Sequence, residues 1–327
     1  MKINFNGNPS ILKNFLYYLI STKGYSIHTI KNYQLDLMLF FKFIREYLHI
    51  NSSIKNFTVF ILGNIDEHTI TAFLVYLNYY RNNSASTRQR RLSSIRSFYK
   101  WLFKNYPPFS DKENPTKYIP NVEPVVRIPK HLNVEQAKRI QTIFTLKNTK
   151  FPQRNNLIIT LFLHTGLRIS ELIGININDI SFSDNSILIR GKNHKERKVY
   201  LNKYVSIKLK DYLNTRNKKN KILKLNEPLF ISYQNKRIGV DGVEDICKKA
   251  FFLLGLKDYG YTAHTLRHTA ATIIYNYTHD LILLKNFLNH ANISTTEIYT
   301  HVNNEQLRQA VNKNPLNIIV SPKTKVA

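Results

Sequence analysis

The sequence predicts a mainly helical protein with one small antiparallel sheet, divided into two domains. Apolar residues recur at intervals of three and four over most of the 327 residues, and one stretch near the middle alternates apolar and polar residues. Prolines are concentrated between residues 107 and 129, as in an interdomain linker. We therefore expect a helical first domain at 1–106, a linker at 107–130, a mixed domain at 131–312 and a C-terminal tail at 313–327.

The first domain reads as four or five amphipathic helices. Ser26 precedes a helix with regular apolar spacing and suits its N-cap, and Asp66 is placed in the same way before a later helix. The last helix, SASTRQRRLSSIRSFYKWLFKN, carries an apolar stripe and a separate basic face. The stripe consists of Leu92, Ile95, Tyr99 and Leu102, and the basic face of Arg90, Ser93, Arg96, Ser97, Lys100 and Lys104.

No acidic residue of this helix lies on its basic face. A solvated surface explains a single basic stripe about equally well. The serines between the cations favour contact with a nucleic-acid backbone, because small hydroxyls let phosphates approach while longer cations reach around them. We predict phosphate contacts for four side chains of this face, Arg90, Arg96, Lys100 and Lys104.

The second domain begins with a capping box, in which Asn133 is the N-cap and Gln136 reaches back to it. A buried helix then ends at Gly166, a residue type that terminates helices in a left-handed conformation. The alternating stretch follows and predicts two antiparallel strands joined by a GKNHKE turn. Its apolar positions are Ile187, Ile189, Val199 and Leu201.

The charge of the chain points to a polyanionic partner. Lys and Arg number 48 against 21 Asp and Glu, a net charge of +27, although a genome rich in A and T would also inflate lysine. Thirteen basic and two acidic residues between 190 and 224 extend this surface, and we predict DNA contacts for Lys195 and Arg197. An anionic membrane is the weaker alternative, because no apolar run approaches the roughly 20 residues of a membrane-spanning helix.

The single cysteine, Cys247, fits a reducing cytoplasm and a buried structural thiol.

Several other residues have the chemistry needed to attack a phosphodiester without a metal ion. Two guanidinium groups neutralise charge on the phosphate, a hydroxyl serves as nucleophile, and a base and an acid move protons. Side chains of these types in the second domain are Arg168, Lys192, His264, Arg267 and Tyr299.

Four segments of the second domain resemble the tyrosine recombinases of the phage integrase family, in particular their XerC and XerD type. They are TGLRISEL at 165–172, RGKNHKER at 190–197, HTLRH at 264–268 and FLNHANISTTEIYTHV at 287–302. In the first domain, GYSIHTIKNYQLDL and TRQRRLSSIRSFYKWL resemble the core-binding domain of the family. The resemblance covers nearly the whole chain. It implies a C-shaped clamp around DNA, with a helical core-binding domain and a mixed α/β catalytic domain.

The resemblance also assigns roles at the site. Tyr299 would be the nucleophile that forms a 3′-phosphotyrosine, and Arg168 and Arg267 would clamp the scissile phosphate. His264 would be the base or a hydrogen-bond partner, and Lys192 would be the general acid. His290 would donate a hydrogen bond to the phosphate, and Glu171 would orient the neighbouring groups by accepting their hydrogen bonds. One phosphodiester is exchanged for another, so no cofactor is expected.

Each assignment has a simpler alternative. Tyr299 is one of twenty tyrosines, and Lys192 competes with Lys195 on the same turn, where we favour Lys192 because it directly follows the strand. His264 and His268 have the spacing of a zinc-binding pair, but threonine stands where a metalloprotease helix has glutamate, so we expect no metal. We expect structural roles for His268 and His301. Asn193 and Asn289 stand where the family has glycine, and asparagine tolerates positive φ.

The resemblance implies a double-stranded recombination site as partner and a tetrameric synapse, formed by one recombinase or by two different ones. The tail at 313–327 would dock on a neighbouring protomer, and a DNA translocase is a further candidate partner. A cytoplasmic, nucleoid-associated enzyme of chromosome dimer resolution is the leading interpretation. The alternatives are a mobile-element integrase, relaxation of the type IB topoisomerase kind, and a non-catalytic DNA-binding protein.

Overall fold

The computed structural model describes residues 5–109, 112–123, 130–147, 149–191, 196–219 and 226–289. The chain divides into two compact units, Met1–Arg127 and Ile128–Ala327. Within the described residues the secondary structure is mainly helical, with one three-stranded antiparallel sheet. This content confirms the predicted fold class. No helix in these ranges combines the length and apolar character needed to cross a membrane.

The first unit is a bundle of amphipathic helices around an aromatic-rich core. Ser26 and Asp66 are N-caps as predicted, and their side chains accept hydrogen bonds from the backbone N–H groups of Thr29 (3.3 Å) and Thr69 (2.8 Å). The apolar stripe of the last helix is fully buried. The helices described in this unit are α1 (Ser10–Ser21), α2 (Ile27–Tyr47), α3 (Val59–Gly63), α4 (Glu67–Tyr79) and α5 (Ala85–Asn105).

Part of the predicted linker packs on the first unit. Phe109 and Ile119 are buried there. The amide oxygen of Asn121 accepts hydrogen bonds from Gln89 (3.0 Å) and Arg96 (2.5 Å), both on α5. Residues 119–122 therefore lie along α5, and this part of the predicted linker is not a free spacer.

The basic face of α5 has an acidic partner on another helix. Asp36 of α2 is 3% exposed and accepts hydrogen bonds from both terminal nitrogens of Arg90 and from the Ser94 hydroxyl (2.8 Å). Arg91 lies beside the same carboxylate, with 3.7 Å between its Nε and Oδ1. The helix itself carries no acidic residue, as predicted, but Asp36 is contributed by another helix, 54 positions before Arg90 in the sequence. Helical periodicity reports only neighbours on the same helix and so did not indicate this partner.

We expect Asp36→Asn to lower the free energy of unfolding of the first unit by about 3 kcal/mol, because it leaves two arginines beside a neutral group. Trp101 is the only tryptophan and is buried on α5, so its fluorescence during urea unfolding reports on this unit. Asp184→Asn, at an exposed acid of the second unit, is the matched control. An unchanged urea midpoint for Asp36→Asn would show that this ion-pair cluster contributes nothing to stability.

The second unit packs helices around a small sheet. Asn133 and Gln136 form the predicted capping box, and Cys247 is buried. The strands β1 (Ile180–Ser181), β2 (Ser186–Arg190) and β3 (Glu196–Tyr200) pair in the order β1-β2-β3, and their predicted apolar positions face the core. The described helices are α6 (Val134–Ile140), α7 (Ile143–Leu146), α8 (Pro152–Thr165), α9 (Ile169–Gly174), α10 (Lys203–Lys219), α11 (Val240–Leu253), α12 (Ala263–Thr278) and α13 (Leu281–Leu288).

Gly166 joins α8 to α9 and brings the end of α13 close to this junction. Its backbone is left-handed, with φ 58° and ψ 27°, as predicted for a helix-terminating glycine. A Cβ atom at this position would lie 2.9 Å from the ring of Phe287 and 3.0 Å from the side chain of Leu288. The glycine therefore permits both the turn and the close packing of α13, on which the site depends.

Candidate active site

A buried carboxylate organises the candidate site. Glu171, on the first turn of α9, has a side chain that is 5% exposed. Its Oε2 accepts hydrogen bonds from the backbone N–H of Arg168 (2.9 Å) and from the guanidinium of Arg197 (3.1 Å). Its Oε1 accepts from the guanidinium of Arg168 (3.1 Å). This arrangement fits the predicted supporting role, in which Glu171 accepts hydrogen bonds and so orients its neighbours.

Glu171 is ionised because positive charge outweighs its burial. Burial alone would raise the pKa of this carboxyl group. The hydrogen bond from the Arg168 backbone and the charges of Arg197, Arg168 and Arg267 lower the pKa below its usual value. One negative charge thus lies within the electrostatic reach of three guanidinium groups.

The same three arginines donate hydrogen bonds to the C-terminal end of α13. The acceptors are the backbone carbonyls of Phe287 for Arg197 (3.4 Å), of Leu288 for Arg267 (2.7 Å) and of Asn289 for Arg168 (3.4 Å). The carbonyl end of a helix carries partial negative charge, so it attracts cations. Consecutive residues have Cα atoms about 3.8 Å apart. Arg168 and Arg267 therefore bond neighbouring carbonyls at the same helix end.

The two predicted phosphate-binding arginines differ in exposure. Arg267, on α12, is 4% exposed and also donates to the carbonyl of Gly166. Arg168, directly before α9, is 40% exposed. Arg267 is thus held by two backbone carbonyls, whereas the side chain of Arg168 is partly exposed to solvent. Of the two arginines predicted to clamp the phosphate, one is therefore buried and fixed, and the other is accessible.

Asn289 ends α13 in the left-handed conformation, with φ 51° and ψ 52°. The prediction that asparagine supports a positive φ where the family has glycine is confirmed at this position. The turn directs the Asn289 carbonyl to Arg168. Asn193, for which we made the same prediction, lies outside the described residues.

His264 and His268 lie one turn apart on α12, with ring centroids 5.8 Å apart. Burial and the charges of Arg267 and Arg168 lower the pKa of His264, while Glu244 acts in the opposite direction. Burial, His264, Arg267 and His131 lower the pKa of His268 to about 4. Both imidazoles are therefore neutral near pH 7, and His264, which is partly shielded but still reaches solvent, is able to accept a proton or a hydrogen bond. Within the described ranges, no group of three or more His, Cys, Asp or Glu is arranged to hold a metal ion.

The lowered pKa of His268 predicts a loss of stability in acid. An unfolded histidine titrates near pH 6.5, so below that pH the unfolded chain takes up a proton that the folded chain does not bind until about pH 4. The contribution of neutral His268 to the free energy of unfolding is complete above pH 6.5 and is lost as the pH falls toward 4. We expect the melting temperature of His268→Asn to fall less between pH 7 and pH 5 than that of the wild type. Parallel decreases would contradict the assignment.

Several predicted site residues lie outside the described residues. They are Lys192, Lys195, His290 and Tyr299, together with His301 and the tail at 313–327. Of the catalytic set, the structure therefore brings together Arg168, His264 and Arg267, with Glu171 beside them.

The predicted DNA-contacting residues fall into different environments. Lys100 and Lys104 are exposed on α5, whereas Arg90 is paired with Asp36 and Arg96 is bonded to the segment at 112–123. Arg197 does not fit the DNA contact that we expected, because its side chain is only 18% exposed and faces Glu171. Strand alternation could have predicted the inward orientation of Arg197, because Arg197 shares its face of the strand with two core positions, Val199 and Leu201.

Lys100→Gln is expected to weaken DNA binding on all sequences and to reduce the slope of log K against log salt by about one unit, the loss of one phosphate contact. Arg96→Gln should reduce the slope by less, because the Arg96 guanidinium already bonds Asn121 and the carbonyl of Ile119. Fluorescence anisotropy over a salt series measures both slopes. Lys42→Gln, an exposed lysine of α2, is the control, and a wild-type slope for Lys100→Gln would place Lys100 in solvent.

Known proteins resemble the chain over most of its length. The model of the phage integrase family matches residues 130–306, and that of the phage integrase N-terminal SAM-like domain matches residues 12–105. The chain is 38% identical over 317 residues to the tyrosine recombinase XerC of Caldanaerobacter subterraneus subsp. tengcongensis, which covers 94% of this chain and 87% of that protein. It is 34% identical over 307 residues to the XerC of Thermodesulfovibrio yellowstonii, covering 92% of this chain and 95% of the relative.

Solved structures show the same fold. The site-specific recombinase XerH bound to its difH substrate, in a pre-cleavage complex, has a TM-score of 0.69 and 25% identity, covering 92% of this chain and 83% of that one. The post-cleavage complex of XerH on palindromic difH has a TM-score of 0.75 and 22% identity, covering 95% and 98%.

Proposed function

The chain belongs to the phage integrase family, and on that premise we propose that it is a site-specific recombinase of the Xer type, which cuts and rejoins DNA strands. One observation carries the proposal for this chain. Arg168 and Arg267 donate hydrogen bonds to adjacent backbone carbonyls at the end of α13. His264 lies three residues before Arg267 in the sequence. Two cations beside a neutral imidazole suit a scissile phosphate and its attacking hydroxyl.

In the proposed cleavage step, the phenol oxygen of Tyr299 forms a bond to the phosphorus, and the bond from phosphorus to the 5′ oxygen breaks. The products are a 3′-phosphotyrosine and a free 5′ hydroxyl. A 5′ hydroxyl from either strand reverses the step and releases Tyr299. The phosphodiester energy is kept in the tyrosyl link, so the reaction needs no nucleotide cofactor.

The charged residues would lower the barrier in distinct ways. Arg168 and Arg267 neutralise the charge that develops on the non-bridging oxygens, and burial of Arg267 strengthens its effect. His264 has a lowered pKa and is therefore neutral near pH 7, so its ring is available to accept the phenol proton or a hydrogen bond. Lys192 would protonate the departing 5′ oxygen, and His290 would donate a hydrogen bond to the phosphate.

The relatives support a proposal about the biological setting. The curated relatives at 38% and 34% identity are named tyrosine recombinase XerC, and XerH was solved on a DNA substrate. By this likeness, the chain would act on two double-stranded sites in a tetramer of itself or with a second recombinase. Residues 313–327 would dock on a neighbouring protomer, and a DNA translocase would be an accessory partner. Chromosome dimer resolution at the nucleoid is the role that we propose, in preference to mobile-element integration.

A plasmid with two copies of the chromosomal target site tests the function. We expect recombinant circles of the two predicted sizes with the wild-type protein, and none from a plasmid with a single site. A type IB topoisomerase would relax both supercoiled plasmids alike without forming recombinants. A protein that retards the DNA but yields neither product would be a non-catalytic binder, and either result would contradict the proposal.

A further inference from the structure

Arg197 is a cation on the inner face of a strand. It lies on β3 opposite Ile189 of β2, a core residue, and its side chain is 18% exposed. Its Nε atom is buried and has no hydrogen-bond acceptor among the described residues. Removing a guanidinium from water is costly unless its contacts are strong. The position therefore calls for a role other than general surface charge.

The guanidinium joins two groups that hold the predicted phosphate-binding arginines. One terminal nitrogen donates to Oε2 of Glu171 (3.1 Å), the same oxygen that accepts from the Arg168 backbone. The other donates to the carbonyl of Phe287 (3.4 Å), one residue before the carbonyl that accepts from Arg267. Arg197 thus links the β2–β3 hairpin, α9 and the end of α13.

Loss of Arg197 would disturb both anchors. The buried carboxylate of Glu171 would keep only one guanidinium partner, that of Arg168. The Glu171 side chain would then be free to turn toward Arg168. The Phe287 carbonyl would lose its side-chain donor, so the last turn of α13 would be held less firmly. A lysine has one ammonium group on a flexible chain and cannot reproduce a planar fork between two acceptors.

We propose that Arg197 is a positioning residue for strand cleavage, which fixes Glu171 and the end of α13 and through them the guanidinium groups of Arg168 and Arg267. The inference rests on the proposed recombinase function. It replaces the DNA contact that the sequence suggested for Arg197. Arg197 itself does not touch the phosphate.

Arg197→Gln and Arg197→Lys test the role, with Lys198→Gln as the matched control on the exposed face of the same strand. The readouts are single-turnover cleavage of a nicked suicide substrate at saturating protein, DNA affinity over a salt series, and the melting temperature. We expect Arg197→Gln to cleave about 10- to 100-fold more slowly, as is typical for residues that orient reacting groups. Its affinity and salt slope should match the wild type, and Arg197→Lys should recover only part of the rate.

A double-mutant cycle with Glu171→Gln separates positioning from general structural damage. If Arg197 acts through Glu171, the double variant should cleave no more slowly than the slower single variant. Multiplying defects, a wild-type rate for Arg197→Gln, or a salt slope reduced by about one unit would each overturn the proposal. Absence of cleavage by the wild-type protein would instead contradict the proposed function, so the two failures are distinguishable.

Discussion

Tyr299→Phe is expected to bind its DNA site with wild-type affinity and to form no covalent complex on a nicked suicide substrate. Phenylalanine keeps the ring but lacks the oxygen that attacks phosphorus. The loss should be complete within the detection limit, because no second hydroxyl is expected to reach the same phosphate. Denaturing gel electrophoresis of labelled DNA measures the adduct, and native gel electrophoresis measures binding.

Tyr277→Phe is the matched control, because Tyr277 lies on α12 and is almost fully exposed. It should form the adduct at the wild-type rate. An adduct of normal yield with Tyr299→Phe would show that another residue is the nucleophile, and the role inferred from the family resemblance would then be wrong.

Arg267→Gln is expected to reduce the single-turnover cleavage rate by about 10²- to 10³-fold, the usual cost of removing one preorganised donor to a developing negative charge. Arg267 is the more buried of the two arginines and is fixed by the carbonyls of Gly166 and Leu288. Its charge therefore acts in a region from which water is excluded, where electrostatic effects are larger than in water. The rate is measured on the same suicide substrate at saturating protein.

Arg267→Lys separates charge from geometry. A lysine keeps the positive charge but lacks the two separated nitrogens that bond the two carbonyls, so we expect a rate between those of the wild type and Arg267→Gln. Arg139→Gln removes an exposed arginine of α6 in the same unit and should leave the rate unchanged. Equal rates for the wild type and Arg267→Gln, with folding confirmed by thermal melting, would exclude Arg267 from the phosphate site.

Local features of the fold could be predicted from the sequence, because they depend on neighbouring residues. Ser26, Asp66 and Asn133 cap helices through hydrogen bonds to backbone groups within three residues. Gly166, which has no Cβ atom, and Asn289, whose side chain tolerates positive φ, adopt left-handed conformations. Strands β2 and β3 followed from alternation, whereas the two-residue strand β1 was not predicted.

Contacts between distant segments could not be predicted in the same way. The Asp36–Arg90 ion pair joins two helices, and the packing of residues 119–122 on α5 depends on the folded path of the chain. Periodicity assigns a residue to a face but does not say which element covers that face. Arg90 and Arg96 were consequently assigned to an open basic surface, although both have partners within the first unit.

The candidate site was predictable in its residue types and not in its organisation. Motif resemblance pointed to Arg168, Arg267, His264 and Glu171, and the structure brings them together. The convergence of three arginines on Glu171 and on the last carbonyls of α13 arises from tertiary packing. Sequence reasoning missed the inward orientation of Arg197, because its charge was given more weight than the alternation of side chains along the strand.

Mass spectrometry of the trapped covalent complex tests the central claim most directly. Wild-type protein is incubated with a nicked suicide substrate, digested with nuclease and protease, and mapped for peptides that carry a nucleotide. The account predicts one modified peptide, with the 3′ phosphate attached to the Tyr299 oxygen. A nucleotide on a different residue, or a linkage through a 5′ phosphate, would contradict it.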